Sequence, residues 1–298
     1  MALFGMDVSK YNTSVNYRAA KIAGIRFAMV KATQGHALHS NHYLFTDSSF
    51  KKHIEGFFDA GIPVGAYHFF TGTDPESTLE EADYFIRTVE PYKDKISLFL
   101  ACDAENYGNK YLMGMSREQL TFNVKLFCDA VKKAGFIPCH YTNTDHILNF
   151  IDLEGIDYPV WQAHYISGGG VKRPIHAGAD LAIHQYTADG QLAGVVGKYD
   201  LNFGYAPTAK LIISSLTTIE DKTLSYIHAH NEGEDMLIKL ADKLVLRGLN
   251  PVRNPTDEKL IALIRYYCGL NYDQAAYLGA YKWSKELFHK LYSGMVKA

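Results

Sequence analysis

LFLACDAEN, residues 98–106, runs five residues suited to burial into two carboxylates, Asp103 and Glu105, with one alanine between them. In an extended strand, side chains two apart share a face, and their Cα atoms lie about 6.6 Å apart from a rise of about 3.3 Å per residue. Both acids would then stand on one wall. Like charges side by side raise the proton affinity of one of them, and burial makes both costly to ionise. Such a pair is either solvated or put to use, and the neighbouring strands decide which.

Working outward, short apolar runs alternate with amphipathic stretches up to about residue 205. Strand candidates are LFGMDV, RFAMVKAT, PVGAYHFF, ISLFLACD, IPCHYTN, YPVWQAHY, LAIHQYT and, more weakly, GKYDLNF. Helices fall between several of them. SREQLTFNVKLFCDAVKKAG opens with a Ser116/Gln119 capping box, sets Leu120, Val124, Phe127 and Val131 on one face and stops at Gly135. SSFKKHIEGFFDAG and DPESTLEEADYFIRTVEP read similarly, the second with Asp74 as cap and Pro75 at its first position. Eight strands alternating with helices predict an α/β class fold, an irregular TIM-like (β/α) barrel, irregular because connections such as Tyr165 to Gly178 are poor in helix signal. After about Ala206 the strand pattern ends. EGEDMLIKLADKLVLRGLNP, TDEKLIALIRYYCGLN and YDQAAYLGAYKWSKELFHKLYSG have helical periodicity, which predicts a barrel over 1–206 and a small all-α C-terminal domain over 207–298.

The 298 residues carry 30 basic and 32 acidic side chains, a balance that gives no electrostatic reason to expect a nucleic-acid partner. Four cysteines, Cys102, Cys128, Cys139 and Cys268, lack C-x-x-C spacing and read as reduced, buried thiols. No apolar run reaches the roughly 18 residues of a membrane span, so no stable membrane insertion is expected. The opening MALFGMDVSKYN has no basic leader or long apolar region and predicts a product made in the cytoplasm without a signal peptide.

In a closed barrel, functional residues gather where strands end. Asp7, Lys31, Gln34, Tyr67, His68, Asp103, Glu105, Tyr141, Asn143, Trp161, Gln185, Tyr186 and Asp200 all fall there. Strand eight closes against strand one, so Asp7 and Asp200 become neighbours across 193 positions, with Asp103 and Glu105 facing them. A single Asp at a strand end is usually a cap or turn residue. Four acids converging on one rim, with aromatics between them and without a phosphate-binding glycine loop or metal triad, suit glycoside hydrolysis: one protonates the leaving oxygen, another stabilises the cation-like centre or activates water.

GMDVSKYN, VKATQG, GAYHFF, DAEN, YTN, PVWQAHY and HQYTADGQLAGVVGKYDLN occur in an order and spacing that resembles the family 25 glycoside hydrolases, the Chalaropsis-type lysozymes, over roughly residues 3 to 205. The resemblance implies a muramidase that cleaves the β-1,4 bond between N-acetylmuramic acid and N-acetylglucosamine in bacterial cell-wall peptidoglycan, with no cofactor and no metal. It implies Glu105 as proton donor, Asp103 as its partner, Asp7 and Asp200 as two further acids of the groove, and Tyr67, Trp161, Tyr165 and Gln185 as sugar contacts. Gln34 stands where the family often has Glu, which removes a charge from the rim and leaves hydrogen bonding to sugar. The arrangement with an N-acetylated substrate points to substrate assistance: the 2-acetamido group attacks, Asp103 orients it, and Glu105 serves as acid and then base, held protonated by the charge of Asp103. A wall-cutting enzyme without an export signal resembles a phage endolysin, which acts from the host cytoplasm after release; a secreted autolysin whose leader has been removed is the alternative.

Other readings compete. His68, His140, His164 and His184 sit in strand candidates and raise a metal-dependent polysaccharide deacetylase, against which none of these four falls in an H-x-x-x-H or H-x-H spacing with a nearby acid. A non-catalytic glycan-binding barrel would have no need of Glu105 beside Asp103. In the tail, Tyr266, Tyr267, Tyr272, Tyr277, Tyr281 and Trp283 make a wall-recognition surface, a packed core or a self-association face, and the sequence leaves these open.

Overall fold

The computed structural model describes residues 2–38, 41–105, 111–166, 172–174, 180–216, 225, 228–229 and 233–247. Nine strands form one sheet: β1 (Leu3–Val8), β2 (Phe27–Leu38), β3 (Asn41–Thr46), β4 (Val64–Phe69), β5 (Ile96–Asp103), β6 (Pro138–Asn143), β7 (Val160–Ala163), β8 (Leu181–Leu192) and β9 (Val195–Gly204). Their order is β1-β9-β8-β7-β6-β5-β4-β2-β3, and β1 also pairs with β2. Eight strands therefore close a ring, in agreement with the barrel expectation, and β3 lies outside it as an antiparallel addition to β2.

From β1 through β8, the ring is parallel at every described pairing. The two residues Ala193 and Gly194, the latter at φ 75°, then join β8 to β9 as a hairpin that brings the last strand back beside the first. That return is one source of irregularity. The other is the β7–β8 connection, which holds no α-helix among its described residues.

Outside the ring run α1 (Tyr17–Ile22), α2 (Phe50–Asp59), α3 (Pro75–Val89), α4 (Arg117–Lys133), α5 (Thr144–Asn149) and α6 (Leu153–Ile156). Local chemistry sets their ends. Asp74 caps α3, whose capping box closes on Ser77, and Pro75 opens it. Ser116 and Gln119 form the reciprocal box of α4, whose Leu120, Val124, Phe127 and Val131 are all buried. Between α3, α4 and the barrel, the rings of Phe85, Phe127 and His68 stack, and Phe70 meets Phe127 edge-on. Each such buried aromatic contributes about 1.5–3 kcal/mol of apolar transfer.

The chain divides into two compact units, one of Phe4–Phe203 and one that includes α7 (Ala206–Leu216) and α8 (Gly233–Arg247). In the second unit α7 and α8 pack together through buried residues that include Ala209, Ile212 and Ile213 on one and Leu237, Ile238 and Ala241 on the other. The tail aromatics from Tyr266 to Trp283, Cys268 and the last two predicted helices lie outside the described residues.

Candidate active site

Strand ends bring the acids together. Asp7 is the last residue but one of β1, between β2 and β9, Asp103 ends β5, and Asp200 sits on β9. With Glu105 they line a cleft of about 620 Å³, whose walls also include Tyr67, Tyr141, Asn143, Trp161, Tyr165 and Gln185. Asp7 and Asp200 share a hydrogen bond, the contact expected from closure of the ring. Asp7 Oδ2 also accepts from Gln185 Nε2 at 2.9 Å and from Asn202 Nδ2 at 2.8 Å.

Those two amides carry the network onward. Asn202 Oδ1 accepts the indole N–H of Trp161 at 2.9 Å. Gln185 Oε1 accepts the hydroxyl of Tyr141 at 2.9 Å and that of Tyr165. Asn202 was not singled out from the sequence, although it stands two residues past Asp200 on the same strand face, the one signal that could have found it.

Trp161 and Gln34 differ in setting from the other expected sugar contacts. Trp161 is read from the sequence as a sugar contact, but it is 1% exposed, with Tyr67 and Tyr141 edge-on to its ring at 5.7 and 4.7 Å. It lies in the cleft lining and holds Asn202 through its indole N–H. Gln34 is outside the cleft lining; its Oε1 accepts from Lys31 Nζ at 2.7 Å. Tyr165, 51% exposed, and the half-buried Tyr67 remain on the walls.

Burial dominates the electrostatics. It raises Glu105 to about 7, with Lys31 opposing and Asp7 adding to the shift. Asp103 is pushed well above the ordinary carboxylate range by burial first, then by the charges of Glu105 and Asp7, against the pull of Lys31. Burial lifts Asp7 to about 6 despite three hydrogen bonds that favour its anion. Asp200 rises to about 9, by burial, by the charge of Asp7 and by donating its proton to Asp7. At neutral pH Asp200 is the protonated partner and Asp7 the acceptor. Asp103 is 6% exposed, and its Oδ1 has no hydrogen-bond partner among the described residues.

The histidines do other work. His68 faces away from the cleft, its Nδ1 2.7 Å from Thr33 Oγ1 and its Nε2 2.8 Å from Glu81 Oε2. Glu81, fully buried on α3, also accepts the N–H and hydroxyl of Thr71 at 2.9 and 2.6 Å. Gly35 leaves room for this carboxylate, since a Cβ there would lie 2.0 Å from Glu81 Oε1. His184 Nε2 lies 2.9 Å from the carbonyl of His164, whose Nδ1 meets Thr144 Oγ1 at 2.8 Å. Among the described residues, no three His, Cys, Asp or Glu side chains are grouped to hold a metal ion.

Acids of graded proton affinity, set in an aromatic-walled cleft at the strand ends of an α/β barrel, make up the kind of site that glycoside hydrolysis uses. Comparison with known proteins makes the assignment particular. The model of the glycosyl hydrolases family 25 matches residues 6–195, and the chain belongs to that family. It is 30% identical over 198 residues to the autolytic lysozyme of Clostridium acetobutylicum, covering 66% of this chain and 54% of that protein. It is 33% identical over 147 residues to the N,O-diacetylmuramidase of Chalaropsis sp, covering 47% and 65%. A family 25 glycosyl hydrolase from Bacillus anthracis superposes with a TM-score of 0.55 at 27% identity, over 68% of this chain and 88% of the other. The chain thus spans about half the length of the clostridial lysozyme it matches.

Proposed function

We propose that this chain is an N-acetylmuramidase that cleaves the β-1,4 bond between N-acetylmuramic acid and N-acetylglucosamine in peptidoglycan. The observation that carries the reading is the pairing of Glu105, which burial raises to about 7, with Asp103, whose buried Oδ1 has no hydrogen-bond partner among the described residues. Burial and mutual repulsion keep a proton on this pair; with that proton on Glu105, Glu105 can give it to the leaving oxygen and Asp103 Oδ1 is left to accept an N–H from the substrate. Similarity to a lysozyme and a diacetylmuramidase supports the choice of substrate.

In this reading Glu105 protonates the glycosidic oxygen as the bond to C1 breaks. The 2-acetamido oxygen closes on C1, and Asp103 holds the acetamido N–H as positive charge develops there. Water then attacks C1, giving its proton to Glu105 and reopening the ring, so that configuration is retained. Asp7, held by Gln185, Asn202 and Asp200, places negative charge across the cleft from this pair. Proton NMR of the earliest products should show the β anomer; an initial α anomer would contradict the scheme. Glu105→Gln should lower lysis by about 10²–10⁴-fold while wall binding persists.

The barrel (1–206) is proposed as the catalytic part, and the helical segment (207–298) as a wall-binding or self-associating part. Pelleting with cell walls and light scattering, with and without residues 207–298, test the two roles. Among the described residues no helix is long and apolar enough to cross a membrane. Action on the wall as an endolysin, after the inner membrane is opened, predicts that expression inside a host lyses it only when a pore-forming protein is supplied; lysis without one favours an autolysin.

A further inference from the structure

β3, the strand outside the ring, carries the sheet onward from β2. Residues paired in register across a sheet stand on one face. Asp103 is paired with Phe69, Phe69 with Gln34, and Gln34 with Phe45, so a single row leads from the acid to the outer strand. Lys31 lies along this row: its Nζ is 4.8 Å from the centre of the Phe69 ring and bonded to Gln34. Lys10, just past β1, stands 5.8 Å from the Phe45 ring and 5.3 Å from that of Tyr11. Tyr43 follows two residues before Phe45, their rings 6.3 Å apart. Tyr11 is 81% exposed and Tyr43 48%, well above what packing would leave.

The chemistry of this strip differs from that of the cleft. There the charges are mainly acids; here the Lys10 ammonium stands between exposed Tyr11 and half-buried Phe45, within the distance at which cation and ring attract. Asp47 is buried, and its oxygens accept the backbone N–H groups of Lys10 and Ser49 at 3.0 and 2.9 Å. Lys10 has no carboxylate ion-pair partner among the described residues. A neutral sugar would gain stacking from the rings but nothing from the cation. An extended ligand bearing carboxylates would gain from both. Muramic acid carries such a group: the acidic stem peptide on its lactyl ether.

We propose that the strip formed by Lys10, Tyr11, Tyr43 and Phe45 is a second binding site, continuous with the cleft, for the acidic stem peptide of the substrate. The identity of the ligand rests on the muramidase reading; the assignment of these side chains goes beyond it. The site makes the enzyme selective for murein that still carries its stems.

The test compares kcat/KM on glycan strands with stems and on the same strands stripped by an amidase, for the full chain and for Lys10→Met combined with Tyr43→Ala. Both residues are exposed, so folding is little affected. The ratio of the two rates should fall about tenfold in the double variant and recover most of the loss when Lys10→Arg replaces Lys10→Met. Titration of muramoyl dipeptide into Glu105→Gln protein should show affinity weakened about tenfold by the same pair of changes. An unchanged ratio, whether both rates fall together or neither moves, overturns the proposal, as does an unchanged affinity. Failure of the muramidase reading is separately visible, because no glycan would then be cut with or without stems while the dipeptide titration still reports on the strip.

Discussion

Asp200 donates a proton to Asp7 across the seam where the barrel closes, and that proton has a thermodynamic signature. Its folded-state affinity is raised from 3.8 to about 9, so between those values the native state binds more protons than the unfolded chain and stability falls as pH rises. Asp200→Asn keeps an N–H donor for Asp7 and removes the titration. The variant should melt about 2–4 °C above the wild type at pH 8, the shift about 1 kcal/mol produces in a domain of this size, and the gap should close towards pH 4. Scanning calorimetry at the two pH values checks it, and a variant less stable at pH 8 would contradict the shared proton. The positions of Asp7, Asp103, Glu105 and Asp200 were legible because each follows or ends an apolar strand-like run. Depth was not legible: Trp161 stands in the register row of Asp103 and Tyr141, yet its indole is sunk beneath them. Nor was the place of Gln34 beside Lys31 legible, since a bulge between Lys31 and Thr33 shifts the pairing of β2 with β4.

Elements with chemical punctuation were readable. Asp74-Pro75 and Ser116/Gln119 fixed the starts of α3 and α4 through hydrogen bonds that their own side chains make. β3 was missed because no Asn-Gly or Asp-Gly step separates NHYLFT from the preceding strand. α7 was missed because APTAKLIISSL is rich in β-branched and hydroxyl residues, and its packing against α8 overrides that weak propensity. The buried pair of Glu81 on α3 with His68 on β4 was invisible too, since nothing local marks an acid on a helix as buried. Glu81→Ala leaves His68 and Thr71 without their acceptor and should cost about 3–5 kcal/mol, read from urea unfolding at pH 7. A loss under about 1 kcal/mol would mean that α3 is held to the barrel by its apolar face alone.

At the scale of the whole molecule, ring closure is what turns scattered acids into a site. β1 and β9, from opposite ends of the first 204 residues, lie side by side, and without that pairing Asp7 would have neither Asn202 nor Asp200. Alternation of strands and helices carried this closure in the sequence, whereas the antiparallel return of β9 did not show, because a strand pattern alone has no direction. The most direct measurement is mass spectrometry of borohydride-reduced peptidoglycan digests, which identifies the sugar at each new reducing end. N-acetylmuramitol ends formed by the wild type and lost in Glu105→Gln are the expected result. Ends on N-acetylglucosamine, or digestion that survives Glu105→Gln, would contradict the assignment of the four acids.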